Sequence, residues 1–245
     1  NSIFFGLQGT KDHGSKYIKE AINNGASVVV HDNKAYKSDA ENIFYVEALE
    51  EIDFNKFLNI LYSGQIYNSI DIYGITGTNG KTTTTLFCQQ IIYKHRLNEI
   101  FLLDSLYIGT MGVKYNGKEF NLNFSDNTTP DIFTIFEIFE HYKFFQPESC
   151  FTKYVYLEVS SHALEQNRLK NLPFKKSAIL NIGNDHLDYH KNSESYRKSK
   201  FKILDNTAIN DFYEVPIDEL TYYPPEYSIS STLLNIDCPE TMKEY

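Results

Sequence analysis

The sequence predicts an α/β protein, a small N-terminal α/β domain followed by a larger domain with a mostly parallel sheet, on three observations. The chain opens with an apolar strand, a loop, a helical stretch and a second apolar strand within about 30 residues, a β-loop-α-β unit too small to be stable alone. Its middle holds Ile70-Asp71-Ile72-Tyr73-Gly74-Ile75-Thr76, an apolar strand that runs through a glycine-punctuated loop into a helix. Beyond it, apolar strands go on alternating with helical stretches, the pattern of a parallel sheet covered by helices.

Taken in order, Ile3 to Leu7 reads as a strand, so the chain is expected to begin inside a domain; its first residue is not Met. A polar loop (9–14) follows, then an amphipathic helix with Tyr17, Ile18, Ala21 and Ile22 on one face, ended by Gly25. Ala26 to Val30 is the next strand and Ile43 to Val46 a third. A helix at roughly 50–62 carries Phe54, Phe57, Leu58 and Leu61. The pattern breaks at 64–69, which sets the expected domains at 1–66 and 67–205, with 206–245 unassigned. After the central strand, Thr83 to Tyr93 has helical spacing through Leu86, Phe87, Ile91 and Ile92. Glu99 to Lys118 reads as irregular strand and turn, with Asn116-Gly117 as a hairpin signal. A helix is expected over 132–145, capped by Thr129 or a neighbour, with Pro130 at its first position and Asp131 in its first turn. Tyr154 to Val159 and Ala178 to Ile182 are the last clear strands.

Composition narrows the function classes. The 42% hydrophobic and 22% charged content fits a soluble globular protein. A net charge of −9 and a pI near 5.3 argue against general nucleic-acid binding, which needs a basic surface. Cys88, Cys150 and Cys238 are far apart and lack metal or disulfide spacing, which fits a reducing cytoplasm. No apolar run approaches the roughly 18 residues of a membrane span.

The chemistry gathers at strand ends. In Gly77-Thr78-Asn79-Gly80-Lys81-Thr82-Thr83 the glycines let backbone amides and a helix N-terminus face a phosphate, Lys81 would reach the β- and γ-phosphates, and Thr82 would place its hydroxyl on Mg²⁺. The general phosphate-loop pattern wants glycine where this chain has Ile75; here it stands one position earlier, at Gly74, so the loop is a variant. Glu158 ends an apolar strand, either as a solvated carboxylate or as a metal ligand opposite the loop. His186 and His190 have the His-x₃-His spacing of a zinc site, against a structural role for His190. Ligands collect beyond the carboxyl ends of parallel strands, so one site could hold the loop, Glu158 and His186.

Five motifs in order (the phosphate loop from Gly74; Asn127-Thr128-Thr129-Pro130; Glu158 to Leu164; Gln166-x-Arg168; Asn184 to His190) resemble the Mur ligases of peptidoglycan synthesis, and among them the branch that adds the third residue. The N-terminal loop with Asp12 and Gly14 also resembles that family's UDP-binding domain, and the resemblance covers about residues 3–204. It implies a P-loop central domain and an ATP-dependent amide ligase that acts through an acyl phosphate on a UDP-muramoyl dipeptide and an amino acid, as a cytoplasmic monomer. Lys81 would hold the phosphates, Thr82 and Glu158 one Mg²⁺, and His186 a second. Lys200 matches the lysine that becomes carbamylated and joins the second metal; the alternative is a solvated helix lysine. Thr10, Lys11, Asp12, Asn127, Thr128, Thr129, Ser160, Gln166 and Arg168 match positions that contact the UDP-muramoyl peptide.

Residues 206–245 are expected to fit no part of the family well, and its C-terminal ligase domain is expected to be absent from the sequence. Two other readings follow: a nucleotide- and UDP-sugar-binding fragment without ligase activity, or a ligase of the folylpolyglutamate synthetase type. The identity of the added amino acid, whether lysine, meso-diaminopimelate or ornithine, is not legible.

Overall fold

The computed structural model describes residues 2–9, 12–32, 43–47, 54–61, 70–98, 103–120, 127–142, 152–170, 172–183, 185, 187–207 and 213–214. The chain forms two compact units, Asn1–Phe57 and Leu58–Tyr245. The expected boundary at 64–69 lies outside the described residues.

In the first unit β1 (Ser2–Gly6), β2 (Ala26–His31) and β3 (Phe44–Glu47) form a parallel sheet in the order β1-β2-β3. A single 3₁₀ turn, Gly14–Tyr17, leads into α1 (Ile18–Asn23). Of the expected helix face Ile18 is fully buried, but Tyr17 is 48% exposed, because the 3₁₀ turn rotates it off the α-helical stripe. Gly25 ends the helix with φ of +96°, a backbone state that favours glycine. The ring of Phe5 meets Phe54 and Phe57 of α2 (Phe54–Leu61) edge-on at 5.1 and 5.5 Å.

The second unit is built on a seven-stranded sheet of β4 (Ile70–Thr76), β5 (Leu103–Gly109), β6 (Gly112–Tyr115), β7 (Lys118–Phe120), β8 (Thr152–Glu158), β9 (Lys176–Ile179) and β10 (Tyr213–Glu214). The strand order is β10-β9-β4-β8-β5-β6-β7. From β10 to β5 every pairing is parallel, and β6 and β7 extend the edge antiparallel. β5 is a regular, buried strand where the sequence suggests only irregular strand and turn over 99–118. It is buried from Asp104 to Gly109, and its polar residues are satisfied inside the sheet: Asn116 donates to Asp104 at 2.9 Å and Gln89 to Ser105 at 3.0 Å. The Asn116-Gly117 hairpin is present, both residues at positive φ (47° and 74°), as a tight β6–β7 turn demands.

Strands and helices alternate as expected. α3 (Lys81–Asn98) leaves β4, α4 (Ile132–His141) precedes β8, α5 (Ser161–Glu165) follows it, and α6 (Leu187–His190) and α7 (Ser193–Phe201) follow β9. Asp131, not Thr129, caps α4, its carboxylate accepting from the Thr134 amide at 3.0 Å. Pro130 therefore stands before the cap rather than at the first helical position. The core runs through Ile72, Leu106, Val155 and Leu157 of the sheet and Phe136 and Phe139 of α4, all at most 2% exposed. No described helix is long and apolar enough to cross a membrane.

Candidate functional site

The registers Ile75↔Glu158, Ile108↔Leu157 and Thr76↔Ile179 bring the carboxyl ends of β4, β8, β5 and β9 level. The phosphate loop therefore leaves β4 beside Glu158 and beside the residues that follow β9.

The loop is shaped by Asn181. Its carbonyl accepts from the Thr78 amide at 2.9 Å, its side-chain oxygen from the Asn79 amide at 2.9 Å, and its side-chain nitrogen donates to the Asn79 carbonyl at 3.0 Å. These bonds use the Thr78 and Asn79 amides, contrary to the expectation that they face a phosphate. What remains for an anion is the N-terminus of α3, beginning at Lys81 after Gly80 (φ +85°). Thr78 accepts from the Gly183 amide at 2.8 Å and pairs with the Tyr196 hydroxyl at 3.1 Å.

Glu158 is fully buried, which excludes the solvated alternative. Its Oε2 accepts from the Thr82 hydroxyl at 3.0 Å and the Thr110 hydroxyl at 3.1 Å; its Oε1 accepts from the Tyr107 hydroxyl and from the Thr110 amide at 3.3 Å. Burial first, and then the bond to Glu158, push the Tyr107 phenol well above its ordinary range. The 3.0 Å between Thr82 Oγ1 and Glu158 Oε2 matches the edge of an oxygen octahedron around Mg²⁺, about 3.0 Å for bonds of about 2.1 Å, so the pair fits adjacent corners of such a cation's shell. Among the described residues no three His, Cys, Asp or Glu cluster as a metal site, and His186 lies outside them.

Lys81 folds over its own loop, donating to the carbonyls of Gly77 at 2.8 Å and Thr78 at 3.0 Å. Lys200, on α7, is 1% exposed rather than solvated; it donates to the same Gly77 carbonyl at 2.9 Å and lies 4.7 Å from the centre of the Tyr196 ring. Burial lowers the Lys81 ammonium from the usual lysine value, against the pull of Glu158 and Asp185. Lys200 is brought down to about 7, by burial first and then by the Lys81 charge, with Asp185 opposing.

A cavity of about 320 Å³ opens here, lined in part by Lys81, Thr82, Tyr196 and Lys200. Asn127, Thr128, Ser160 and Arg168, all expected to contact substrate, also line it. Thr129 and Gln166 do not. Thr129 is fully buried, donating to the Glu158 carbonyl and accepting from the Ser160 amide, both at 2.8 Å, so it ties the loop before α4 to the end of β8. Gln166 accepts from Arg168 Nε at 2.8 Å, while Arg168 also donates to the Thr129 carbonyl at 3.0 Å. Both residues hold the guanidinium that faces the cavity. His190 is buried and pairs with Ser161 at 3.0 Å, a structural role that the sequence reading had set against zinc. Asp12 belongs to the N-terminal unit, where Lys16 pairs with it; Thr10 and Lys11 lie outside the described residues.

Four neighbours of the site were not singled out from sequence as parts of it: Tyr107, Thr110, Asn181 and Tyr196. Only Tyr196 carried a signal, since it lies one helical turn before Lys200 and shares its face.

Residues 75–223 match the family Mur ligase middle domain. A UDP-N-acetylmuramoyl-L-alanyl-D-glutamate--2,6-diaminopimelate ligase of Phocaeicola vulgatus is 31% identical over 217 residues, covering 89% of this chain and 42% of that protein. A UDP-N-acetylmuramyl-tripeptide synthetase 2 of Oceanobacillus iheyensis is 30% identical over 213 residues, covering 85% of this chain and 40% of that one. A solved UDP-N-acetylmuramoyl-L-alanyl-D-glutamate--2,6-diaminopimelate ligase shares the fold, with a TM-score of 0.61 at 23% identity over 84% of this chain and 38% of its own. The chain spans less than half the length of each of these proteins.

Proposed function

The chain belongs to the Mur ligase family, and from that premise we propose that it binds ATP and a UDP-muramoyl dipeptide and serves the ATP-dependent addition of a third amino acid to that dipeptide. The observation that carries this is the pairing of a buried carboxylate, Glu158, with Thr82 at the head of α3, beside two lysines that converge on Gly77.

A carboxylate resists attack by an amine until one of its oxygens becomes a leaving group. In the proposed reaction the dipeptide's terminal carboxylate attacks the γ-phosphorus, ADP leaves, the amine adds to the carbonyl carbon of the acyl phosphate, and phosphate departs. That sequence gathers negative charge, which the residues at this site are suited to offset. Lys81 leaves its two carbonyls to meet the phosphates, joined by the amides that open α3. Thr82 and Glu158 would hold Mg²⁺, which neutralises phosphate charge when bound, and His186 would serve a second ion. Lys200, with much of its population neutral near pH 7, can add its lone pair to carbon dioxide and lose a proton, becoming the carbamate expected of it. Arg168, braced by Gln166 and Thr129, offers its guanidinium to a carboxylate or phosphate of the UDP-muramoyl peptide.

The test incubates this polypeptide with ATP, Mg²⁺ and UDP-N-acetylmuramoyl-L-alanyl-D-glutamate, together with lysine, meso-diaminopimelate or ornithine in turn. ADP release that needs both the dipeptide and one amino acid supports the proposal and identifies the third residue. Binding of ADP and the UDP-sugar without release supports the reading as a binding fragment. Turnover that depends on folate instead would support the folylpolyglutamate type.

A further inference from the structure

The two oxygens of Glu158 differ in their partners, with Thr110 reaching both. Oε2 takes the hydroxyls of Thr82 and Thr110, whereas Oε1 takes the Tyr107 hydroxyl and the Thr110 amide. The Tyr107 oxygen also accepts from the Met111 amide at 3.1 Å. An amide N–H can only donate, so the phenol's single proton is committed to Glu158. Tyr107 is fully buried in β5, which leaves it no room to turn to another partner. Gly109 completes the fit, since a Cβ at that position would overlap the Glu158 carboxylate. The carboxylate is therefore fixed in rotation, one oxygen turned back into the sheet and the other presented beside Thr82.

We propose that Tyr107 is a positioning residue that keeps Glu158 a one-oxygen ligand and so sets a preference for Mg²⁺ over Ca²⁺. Mg²⁺ demands a small octahedral shell and takes one oxygen per carboxylate; Ca²⁺ is larger, accepts 6–8 oxygens and readily takes both from one carboxylate. With Oε1 held by Tyr107, the second bond that suits Ca²⁺ is withheld, while Oε2 and Thr82 Oγ1 keep a separation that suits Mg²⁺. This rests on the reading of Thr82 and Glu158 as the metal corner of a nucleotide site.

The test is calorimetric titration of ADP into the polypeptide with Mg²⁺, with Ca²⁺, or with a chelator, comparing the parent chain with Tyr107→Phe. The expected result is an affinity for ADP with Mg²⁺ weakened about tenfold, the range for loss of a group that supports a metal ligand. Affinity with Ca²⁺ should hold or rise, since Oε1 is released to it, and that in chelator should not change, so the preference for Mg²⁺ falls. An unchanged preference, or an equal loss under all three conditions, overturns the role of Tyr107 while leaving the metal corner standing. ADP binding in the parent chain that ignores both cations overturns the metal corner and the inference with it. Should Tyr107→Phe fail to fold, 3-fluorotyrosine encoded at position 107 keeps the shape and makes the phenol a stronger donor. A shift in the Mg²⁺ affinity alone supports the inference, and no shift overturns it.

Discussion

The ammonium groups of Lys81 and Lys200 converge on one acceptor, their Nζ atoms 2.8 and 2.9 Å from the carbonyl oxygen of Gly77. Two like charges sharing one carbonyl, one of them in a site almost closed to water, is an arrangement that favours a neutral amine.

The stability of the chain should therefore depend on pH through Lys200. Its pKa is about 7 in the folded protein against 10.5 for an ordinary lysine, so between those values the unfolded chain holds a proton that the folded one lacks, and stability rises with pH across that window. Replacing the side chain by an apolar one removes this contribution. Lys200→Met is expected to raise the melting temperature most near about pH 6, with the gain shrinking toward about pH 10. Thermal melts of both proteins across the range check it.

Under the proposed ligase reaction, turnover should separate the two lysines. Lys81→Ala is expected to abolish ATP turnover, and Lys200→Ala to slow it with partial rescue by a small added carboxylate, which can occupy the place of a carbamate. Because the Lys81 charge helps to lower Lys200, Lys81→Ala should also move the Lys200 pKa upward. ADP release and the pH dependence of amine labelling read the two effects independently.

Gly74 lies in the middle of β4, where a Cβ would come within 2.8 Å of the fully buried Phe174 ring. Gly74→Ala is expected to cost about 1–3 kcal/mol through overpacking. In combination with Phe174→Leu the loss should fall short of the two single losses together by at least about 0.5 kcal/mol, since the residues share one space. Urea denaturation of the four proteins completes the cycle.

Asp131→Ala should cost about 1 kcal/mol by leaving the Thr134 amide without its cap. Asp131→Asn, which keeps the acceptor, should recover most of it, again by urea denaturation.

The residues that made the fold legible were those whose local pattern and tertiary role agree. β4 is apolar with buried Ile70, Ile72 and Ile75, and its glycine loop has few structural uses other than the turn it makes. β5 was obscured because Asp104 and Ser105 look unsuited to a central strand; their partners, Asn116 and Gln89, are remote enough in sequence to carry no local signal. At the site, Lys81, Thr82 and Glu158 could be placed because a helix start or a strand end fixes each backbone, whereas Lys200, near the end of α7, was placed by the family resemblance alone. Asn181 and Tyr107 could not, since their roles come from the register between strands, which the strand sequences do not state.

Asn181 fastens the phosphate loop from the end of a neighbouring strand by three hydrogen bonds, two of them from its side chain. The conformational entropy of that loop is lost when the sheet forms and is not charged again when an anion arrives. Affinity and folding are thereby linked in the proposed site: loosening the end of β9 would weaken the proposed phosphate binding without touching any group proposed to contact the phosphate, and the loss would grow with temperature as loop disorder gained weight.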